Sequence, residues 1–172
     1  MRKLDYPRLY RWSASHPRLI RVLMGLRVPA VILVVLSFAA YLGFSAYLGS
    51  VPRAVIAAVV SGVPFVLVSV LRRILGERRP YEVYDFGEFG IEKPRGKGGD
   101  SFPSRHSFSS FMIGTLMLPD VPVLGALVLL LAVFISTLRV LVGIHFLKDV
   151  TVGAIIGVLT GAIGAVCLHF FA

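Results

Sequence analysis

The chain has 172 residues, of which 56% are hydrophobic, and a formal net charge of +9 from 18 Lys and Arg against 9 Asp and Glu. A soluble domain is usually about 45–50% apolar, so this composition and the mean hydropathy of +0.83 indicate contact with lipid. Long apolar runs make an anionic membrane surface a better partner for the positive charge than nucleic acid. The length favours one domain spanning residues 1–172.

The first 27 residues predict a basic segment in the lipid headgroup layer. Residues 5–24 combine four arginines with aromatic side chains, and two prolines argue against a membrane span there. We expect an interfacial amphipathic helix with Tyr10 and Trp12 as anchors at the membrane surface.

Five later segments have the apolar character of transmembrane helices. The expected spans are 28–48, 54–71, 104–118, 122–141 and 145–171. Glycines at 153, 157, 161 and 164 give the last span a small-residue face for close helix packing. The sequence therefore predicts an all-α polytopic membrane helix bundle of five transmembrane helices plus an N-terminal interfacial amphipathic helix.

A polar loop at 72–105 separates the second span from the third and holds eight basic and six acidic residues. Loops of this length are usually functional or disordered. If the spans alternate in direction, the loop faces the same side of the membrane as the turn between the fourth and fifth spans. Burying a charged or polar side chain at the end of a span costs free energy unless the side chain has a partner or a function. Seven such residues lie on this side: Arg72, Arg79, Ser104, His106, Arg139, His145 and Asp149.

These residue types suit phosphoryl transfer. Arginine forks bind phosphate oxygens bidentately and stabilise charge that develops on them. Ser104 precedes a helix, whose first N–H groups also favour an anion. His145 and Asp149 are four residues apart on one helix face, so the carboxylate can fix the tautomer of the ring and leave the other nitrogen free to attack. His106 is then available as a general acid.

The same residues resemble the three-part signature of the PAP2 (type-2 phosphatidic acid phosphatase) superfamily. RRILGERRP matches Lys-x6-Arg-Pro, with Arg72 in place of Lys and Arg79-Pro80 at the expected spacing. PSRH matches Pro-Ser-Gly-His, with Arg105 in place of Gly. LRVLVGIHFLKD matches Ser-Arg-x5-His-x3-Asp, with Leu138 in place of Ser. The resemblance covers roughly residues 54–165.

The resemblance implies a membrane lipid phosphatase of the short bacterial type that works without a metal or other cofactor. It implies that His145 is the nucleophile, Asp149 its orienting partner and His106 the acid that protonates the leaving group. It also implies the residues that bind the phosphoryl oxygens: Arg72, Arg79, Ser104, Arg105 and Arg139. Its substrate would be a lipid phosphate in the bilayer.

Three functions remain open at this point. The first is hydrolysis of a lipid phosphomonoester of the phosphatidylglycerophosphate or phosphatidic acid type through a phosphohistidine intermediate. The second is hydrolysis of a polyprenyl (undecaprenyl) pyrophosphate by the same residues. The third is a catalytically silent lipid-binding or transport protein. The intact set of His106, His145 and Asp149 argues against silence, because binding alone needs no nucleophile.

The basic N-terminal segment also bears on orientation. Residues 1–27 hold seven basic residues and one acid, so the positive-inside rule places the N-terminus in the cytoplasm. Five spans then put the 72–105 loop and the site on the cytoplasmic face of a bacterial cell membrane.

Overall fold

The computed structural model describes residues 5–49, 51–87 and 98–171, and every regular element within these ranges is helical. The elements in chain order are α1 (Tyr6–Ser15), α2 (Pro17–Phe44), a π-helical turn (Ser45–Gly49), α3 (Val51–Leu75), α4 (Pro80–Val83), α5 (Arg105–Met117), α6 (Pro122–Leu141) and α7 (Leu147–Phe171). The all-α prediction is confirmed.

Four helical segments are long and apolar enough to cross a membrane, namely Pro17–Tyr47, Val51–Val83, Pro122–Leu141 and Leu147–Phe171. Their exposed faces carry many large apolar side chains, as lipid contact requires. The remaining predicted span corresponds to α5, whose 13 residues give a helix of about 20 Å against a hydrocarbon core of about 30 Å. The chain is an integral membrane protein with four apolar candidate spans, and the total of five stays a prediction.

Helix α5 is surrounded by protein on most sides. It packs against α6, α7 and α3, and Phe108, Leu116 and Met117 on it are almost completely buried. These side chains join Val128 and Ile135 of α6 in the main core cluster. Such packing, rather than transfer out of water, is what holds helices together in a bilayer.

Glycines of α7 allow α5 to approach with its backbone. A Cβ atom at Gly153 would lie 2.6 Å from the carbonyl oxygen of Ser104, and one at Gly161 would lie 2.5 Å from that of Met112. Gly157 faces the carbonyl oxygen of Phe108 in the same way. These glycines thus form the close-packing face that the sequence predicts.

The N-terminal segment differs from the single interfacial helix predicted for residues 1–27. Helix α1 ends at Ser15. Helix α2 begins at Pro17, because proline is well suited to the first position of a helix, so residues 17–27 belong to the first long helix. Tyr10 is fully buried and packs against Tyr81 and Phe86, which corrects its prediction as a surface anchor.

The segment 72–105 is also more ordered at its ends than a plain loop. Helix α3 continues through Arg72 to Leu75, and Gly76 ends it with a φ of 54°. Glu82 then accepts hydrogen bonds from the backbone N–H groups of Arg79 (2.8 Å) and Gly99 (2.9 Å). This carboxylate joins the two described arms of the segment, and residues 88–97 lie outside the described ranges.

A cluster of polar groups, which we call the far-end clasp, lies at the opposite end of the bundle and consists of Tyr41, Arg53 and Asp120. The guanidinium of Arg53 contacts both carboxylate oxygens of Asp120 at 2.8 Å, and the Tyr41 hydroxyl donates to the same carboxylate at 2.6 Å. Burial alone would raise the pKa of Asp120, but the hydrogen bonds from Tyr41 and Arg53 outweigh it and hold the pKa below its usual value. Arg53 also donates to the Leu168 carbonyl (3.3 Å), so the clasp connects α2, α3, α7 and the α5–α6 turn.

Candidate active site

The C-terminus of α3, the N-terminus of α5 and the turn between α6 and α7 meet at one end of the bundle. The backbone N–H of Ser104 donates to the carbonyl oxygen of Asp149 (2.9 Å), which fixes the start of α5 against α7. The carbonyl oxygen of Arg139 accepts from the N–H groups of Ile144 (2.9 Å) and His145 (3.1 Å). The backbone therefore fixes the distance between Arg139 and His145.

His145 and Asp149 form a buried pair, with side chains 1% and 0% exposed. Nδ1 of His145 lies 3.5 Å from Oδ2 of Asp149. That oxygen also accepts the backbone N–H of Phe146 (2.9 Å). Burial lowers the pKa of His145 to about 4, and the positive charges of Arg139 and Arg79 lower it further. The hydrogen bond with Asp149 raises the pKa and only partly offsets this shift. The ring is neutral at pH 7, as a nitrogen nucleophile must be.

Ser101 is a member of this group that the sequence did not reveal. Its hydroxyl is completely buried, donates to Oδ2 of Asp149 at 2.5 Å and lies 3.3 Å from Nδ1 of His145. The single hydroxyl hydrogen of Ser101 is donated to the carboxylate of Asp149. Towards the ring, the Ser101 oxygen can therefore only accept a hydrogen bond, which requires a proton on Nδ1 of His145. Both neighbours of the ring thus select the tautomer with a bare Nε2. No charge or helical spacing distinguishes Ser101 in the sequence, since it lies in the 72–105 segment.

The arginines surround a cavity of about 540 Å³ at this end of the bundle. It is lined by the four arginines predicted to bind phosphate and by two others, in the order Arg27, Arg72, Arg73, Arg79, Arg105 and Arg139. The lining residues do not include four of the predicted site residues, namely Ser104, His106, His145 and Asp149. Arg79 and Arg139 nevertheless lie near the ring of His145, because both lower its pKa electrostatically.

Backbone carbonyls hold two of the guanidiniums in place. Arg79 Nε donates to the carbonyl oxygen of Gly99 (2.9 Å), and Arg72 donates to that of Asp100. Arg139 is buried, and its Nε has no hydrogen-bond partner among the described residues. A buried unpaired donor of this kind is costly, and a bound anion would satisfy it.

The start of α5 offers further donors. Ser104 makes no side-chain capping bond to the helix, so the first N–H groups of α5 keep their capacity for an anion. The hydroxyl of Ser136 donates to Ser107 (2.8 Å), and that of Ser107 donates to Ser104 (3.1 Å). The buried Ser104 hydroxyl accepts at the end of this chain, and its own hydrogen has no acceptor among the described residues.

His106 faces a different cavity. It lines an apolar groove of about 260 Å³ between α2, α3 and α5, whose other walls include Phe38, Gly62 and Phe65. The ring still lies close enough to His145, Arg105 and Arg139 to interact electrostatically with all three. The Arg105 guanidinium, which lines the arginine cavity, lies 5.7 Å above the ring of Phe65, so the two cavities adjoin.

Arg27 is a second residue that sequence reasoning missed. It lies on α2, in the stretch predicted as part of the interfacial segment, and it lines the arginine cavity together with Met24. Because α2 begins at Pro17, this stretch belongs to a long helix that runs past the site. The sequence shows Arg27 only as one more basic residue before the first apolar run.

Two solved structures share this fold, while no curated protein matches the chain. The transmembrane PAP2-type phosphatidylglycerolphosphate phosphatase from Bacillus subtilis is 18% identical, with a TM-score of 0.66 over 99% of this chain and 90% of that one. LpxE from Aquifex aeolicus is 24% identical, with a TM-score of 0.57 over 86% of this chain and 92% of that one.

The sequence pattern of one protein family also matches the chain. The match covers residues 35–171, which include all three motifs and exclude α1 and Arg27. Because it spans most of the chain, the resemblance seen in the motifs is confirmed. The protein belongs to the PAP2 superfamily.

Proposed function

We propose that this protein is a membrane lipid phosphatase that transfers the phosphoryl group of its substrate to His145. The observation that carries the proposal is the buried group of Ser101, His145 and Asp149 beside a cavity lined by arginines. A neutral imidazole held in one tautomer is a nucleophile, and clustered guanidiniums stabilise phosphoryl charge. The arginines supply this charge, so we expect the reaction to proceed without a metal ion.

In the first step, Nε2 of His145 attacks phosphorus and the bond from phosphorus to the lipid oxygen breaks. His106 donates a proton to that oxygen, and the lipid alcohol leaves. Charge on the phosphoryl oxygens is bound by Arg72, Arg79 and Arg139 as it moves. Positive charges near His106 disfavour its protonated ring in the free protein. The phosphoryl dianion of a bound substrate compensates these charges, so substrate binding favours protonation of His106.

In the second step, water attacks the phosphohistidine and the phosphorus–nitrogen bond breaks. His106, now neutral, takes a proton from the water, and inorganic phosphate leaves. His145 and His106 do not line the arginine cavity in this structure. The mechanism therefore requires the arginine side chains to rearrange around the phosphoryl group, as commonly happens between a free enzyme and its complex.

A lipid leaving group is supported by the apolar groove at His106. The leaving oxygen of the lipid must lie beside His106 to accept its proton. The groove that His106 lines is walled by apolar side chains such as Val35, Phe38 and Met112. A hydrocarbon chain fits these walls and a soluble phosphate ester does not use them. We propose a lipid phosphomonoester of the phosphatidylglycerophosphate or phosphatidic acid type. A polyprenyl pyrophosphate remains the second candidate, and the six arginines that line the cavity favour it.

The test is phosphate release by the purified protein in detergent micelles that contain one lipid phosphate at a time, with EDTA present. We expect release from the wild type and a loss of about a thousandfold or more in His145→Ala, the size typical for removal of a nucleophile. Quenching the wild type during turnover should trap an acid-labile, alkali-stable phosphoprotein that His145→Ala lacks. Loss of activity in EDTA would contradict the metal-free mechanism. A wild type that binds these lipids and releases no phosphate from any of them would instead favour the silent binding protein.

A further inference from the structure

Helix α1 packs on the turn between α6 and α7, which carries His145. The Ser13 hydroxyl donates to the carbonyl oxygen of Leu141, the last residue of α6 (3.1 Å). The Tyr6 hydroxyl accepts the N–H of Leu147, the first residue of α7 (3.0 Å). The last carbonyl groups and the first N–H groups of a helix have no partner within it, so both contacts satisfy helix ends. Helix α1 therefore holds the turn at both of its ends.

Ring contacts extend this support to the middle of the turn. The rings of Tyr6 and Phe146 meet edge-on with their centroids 5.1 Å apart. The N–H of Phe146 in turn donates to the proposed carboxylate partner of the nucleophile (2.9 Å). Tyr10 packs on Phe86 with the ring centroids 4.8 Å apart, and Phe86 lies so close to Gly143 of the turn that a side chain there would clash. Displacement of α1 would therefore release the turn that positions the nucleophile.

The opposite face of α1 presents a basic and aromatic surface. Arg8, Arg11 and Trp12 are exposed on it. Leu9 lies beside this surface and lines an apolar groove of about 430 Å³ along α6 and α7, whose walls include half-exposed side chains such as Val133. Helix α1 thus lies at the level where the lipid-facing surface of the bundle begins. Arginine and tryptophan suit this level, because headgroup phosphates attract the first and the membrane interface favours the second.

We propose that the exposed face of α1 binds anionic lipid headgroups, and that this contact activates the enzyme by keeping α1 packed on the turn. The proposal rests on the proposed function for the role of His145. With ten residues α1 is too short to be a stable helix alone in water, so it depends on contacts with its faces. Lipid that binds the packed arrangement raises its population. Helix α1 lies outside residues 35–171, so this control is not implied by the family match.

Fluorescence tests the binding surface, because Trp12 is the only tryptophan of the chain. The purified protein is placed in phosphatidylcholine vesicles with increasing shares of phosphatidylglycerol, an anionic lipid without a phosphomonoester. We expect phosphatidylglycerol to shield Trp12 from acrylamide, and Arg8→Ala/Arg11→Ala to lose most of this protection. Arg18→Ala/Arg21→Ala is the matched control, since these exposed arginines lie on α2. Unchanged quenching in the wild type, or equal effects of the two double variants, would overturn the binding surface.

Turnover of a water-soluble aryl phosphate in the same vesicles tests the coupling. We expect phosphatidylglycerol to raise kcat about fivefold with little change in KM, since the attraction of one arginine to an anionic surface shifts an equilibrium by about this factor. Tyr6→Phe/Ser13→Ala, which keeps the ring contact but removes both hydroxyls, should lose most of this rise. If α1 instead left the protein and inserted its aromatic face into the bilayer, phosphatidylglycerol would lower kcat. That result, or an unchanged rise in Tyr6→Phe/Ser13→Ala, would overturn the coupling.

Nitrogen NMR of protein labelled at histidine separates failure of the coupling from failure of the proposed function. A wild type that releases no phosphate from any substrate contradicts the phosphatase but leaves the position of the His145 ring measurable. Phosphatidylglycerol should then still narrow the His145 signals in the wild type and not in Tyr6→Phe/Ser13→Ala. His145 signals that do not respond to phosphatidylglycerol would overturn the coupling, whether or not the protein is active.

Discussion

The hydroxyl of Ser101 connects the proposed nucleophile to its carboxylate and lies in a segment that sequence patterns describe only as polar. Its contacts with His145 and Asp149 cross 44 and 48 residues, respectively, so they depend on how the chain folds back. The roles of His145, His106 and the arginines could be proposed from spacing because each belongs to a motif on a helix or its end. Ser101 could not, since a serine in a glycine-rich stretch is most simply a turn residue.

Ser101→Ala should lower kcat about tenfold with little change in KM. The variant removes a hydrogen bond to a charged group and one of the two contacts that fix the tautomer of His145, while the arginine cavity stays intact. Steady-state kinetics of purified protein in micelles measures this split. Thr160→Ala serves as the control because, in the part of the chain that the structure describes, the Thr160 hydroxyl bonds only to the Ile156 carbonyl within α7 (2.7 Å). Equal losses in the two variants would show that Ser101 is only structural.

His145 should be neutral and protonated on Nδ1 at pH 6. Burial depresses its pKa to about 4, below the ordinary value of 6.5, so the folded state binds fewer protons than the unfolded state between these pH values. Stability therefore falls as the pH drops from about 6.5 towards 4. Nitrogen NMR of protein labelled at histidine, with His145→Gln to assign the signal, measures the charge and the tautomer. An imidazolium signal for His145 at pH 6 would contradict the prediction.

The groove between α2, α3 and α5 offers the hydrocarbon chain of the proposed leaving group a place among the helices. Gly62 lines it, and a Cβ atom there would meet no atom within 4 Å. Residues on three helices form these walls, so neither the groove nor its position at His106 follows from any one stretch of sequence. By contrast, a close-packing face on α7 was predictable, because it depends on a glycine repeat within a single helix, whereas the identity of its partner, α5, was not.

Gly62→Leu should fill the groove and lower kcat/KM for a long-chain lipid phosphate about tenfold. The side chain adds bulk where the hydrocarbon chain is proposed to lie, without a clash in the free protein. A water-soluble aryl phosphate, which does not use the groove, should be affected much less. Gly43→Leu is the matched control, since Gly43 is an open helical position that does not line the groove. Equal effects of Gly62→Leu on both substrates would place the lipid chain elsewhere.

For the whole molecule, the position of α1 links the orientation of the N-terminus to that of the site. The hydroxyl of Tyr6 accepts the backbone N–H of Leu147 (3.0 Å), and the Ser13 hydroxyl donates to the Leu141 carbonyl (3.1 Å). Both contacts flank the turn that carries His145. The N-terminal segment and the site therefore lie on the same face. Composition alone predicted a membrane protein, but it could not show that the basic segment packs on the site.

A cysteine-accessibility experiment tests the proposed cytoplasmic orientation. In a Cys167→Ser background, Arg78→Cys places an exposed thiol at the site end, and Pro119→Cys places one at the opposite end. The positive-inside rule predicts that a membrane-impermeant maleimide added to intact cells labels only the second variant. Labelling of both after the membrane is permeabilised is the control. Labelling of Arg78→Cys alone in intact cells would place the site on the outer face.

The far-end clasp limits how this bundle can admit a substrate from the side. The hydrogen bond of Tyr41 and the partly exposed ion pair of Arg53 with Asp120 join the ends of α2 and α3 to the α5–α6 turn. No comparable ion pair joins α2 to α3 at the site end among the described residues. These two helices are therefore joined by the clasp at the far end and, among the described residues, by no ion pair at the end where His106 lies. For a lipid that approaches the groove from the side, the end of the bundle that holds His106 is then the less constrained one.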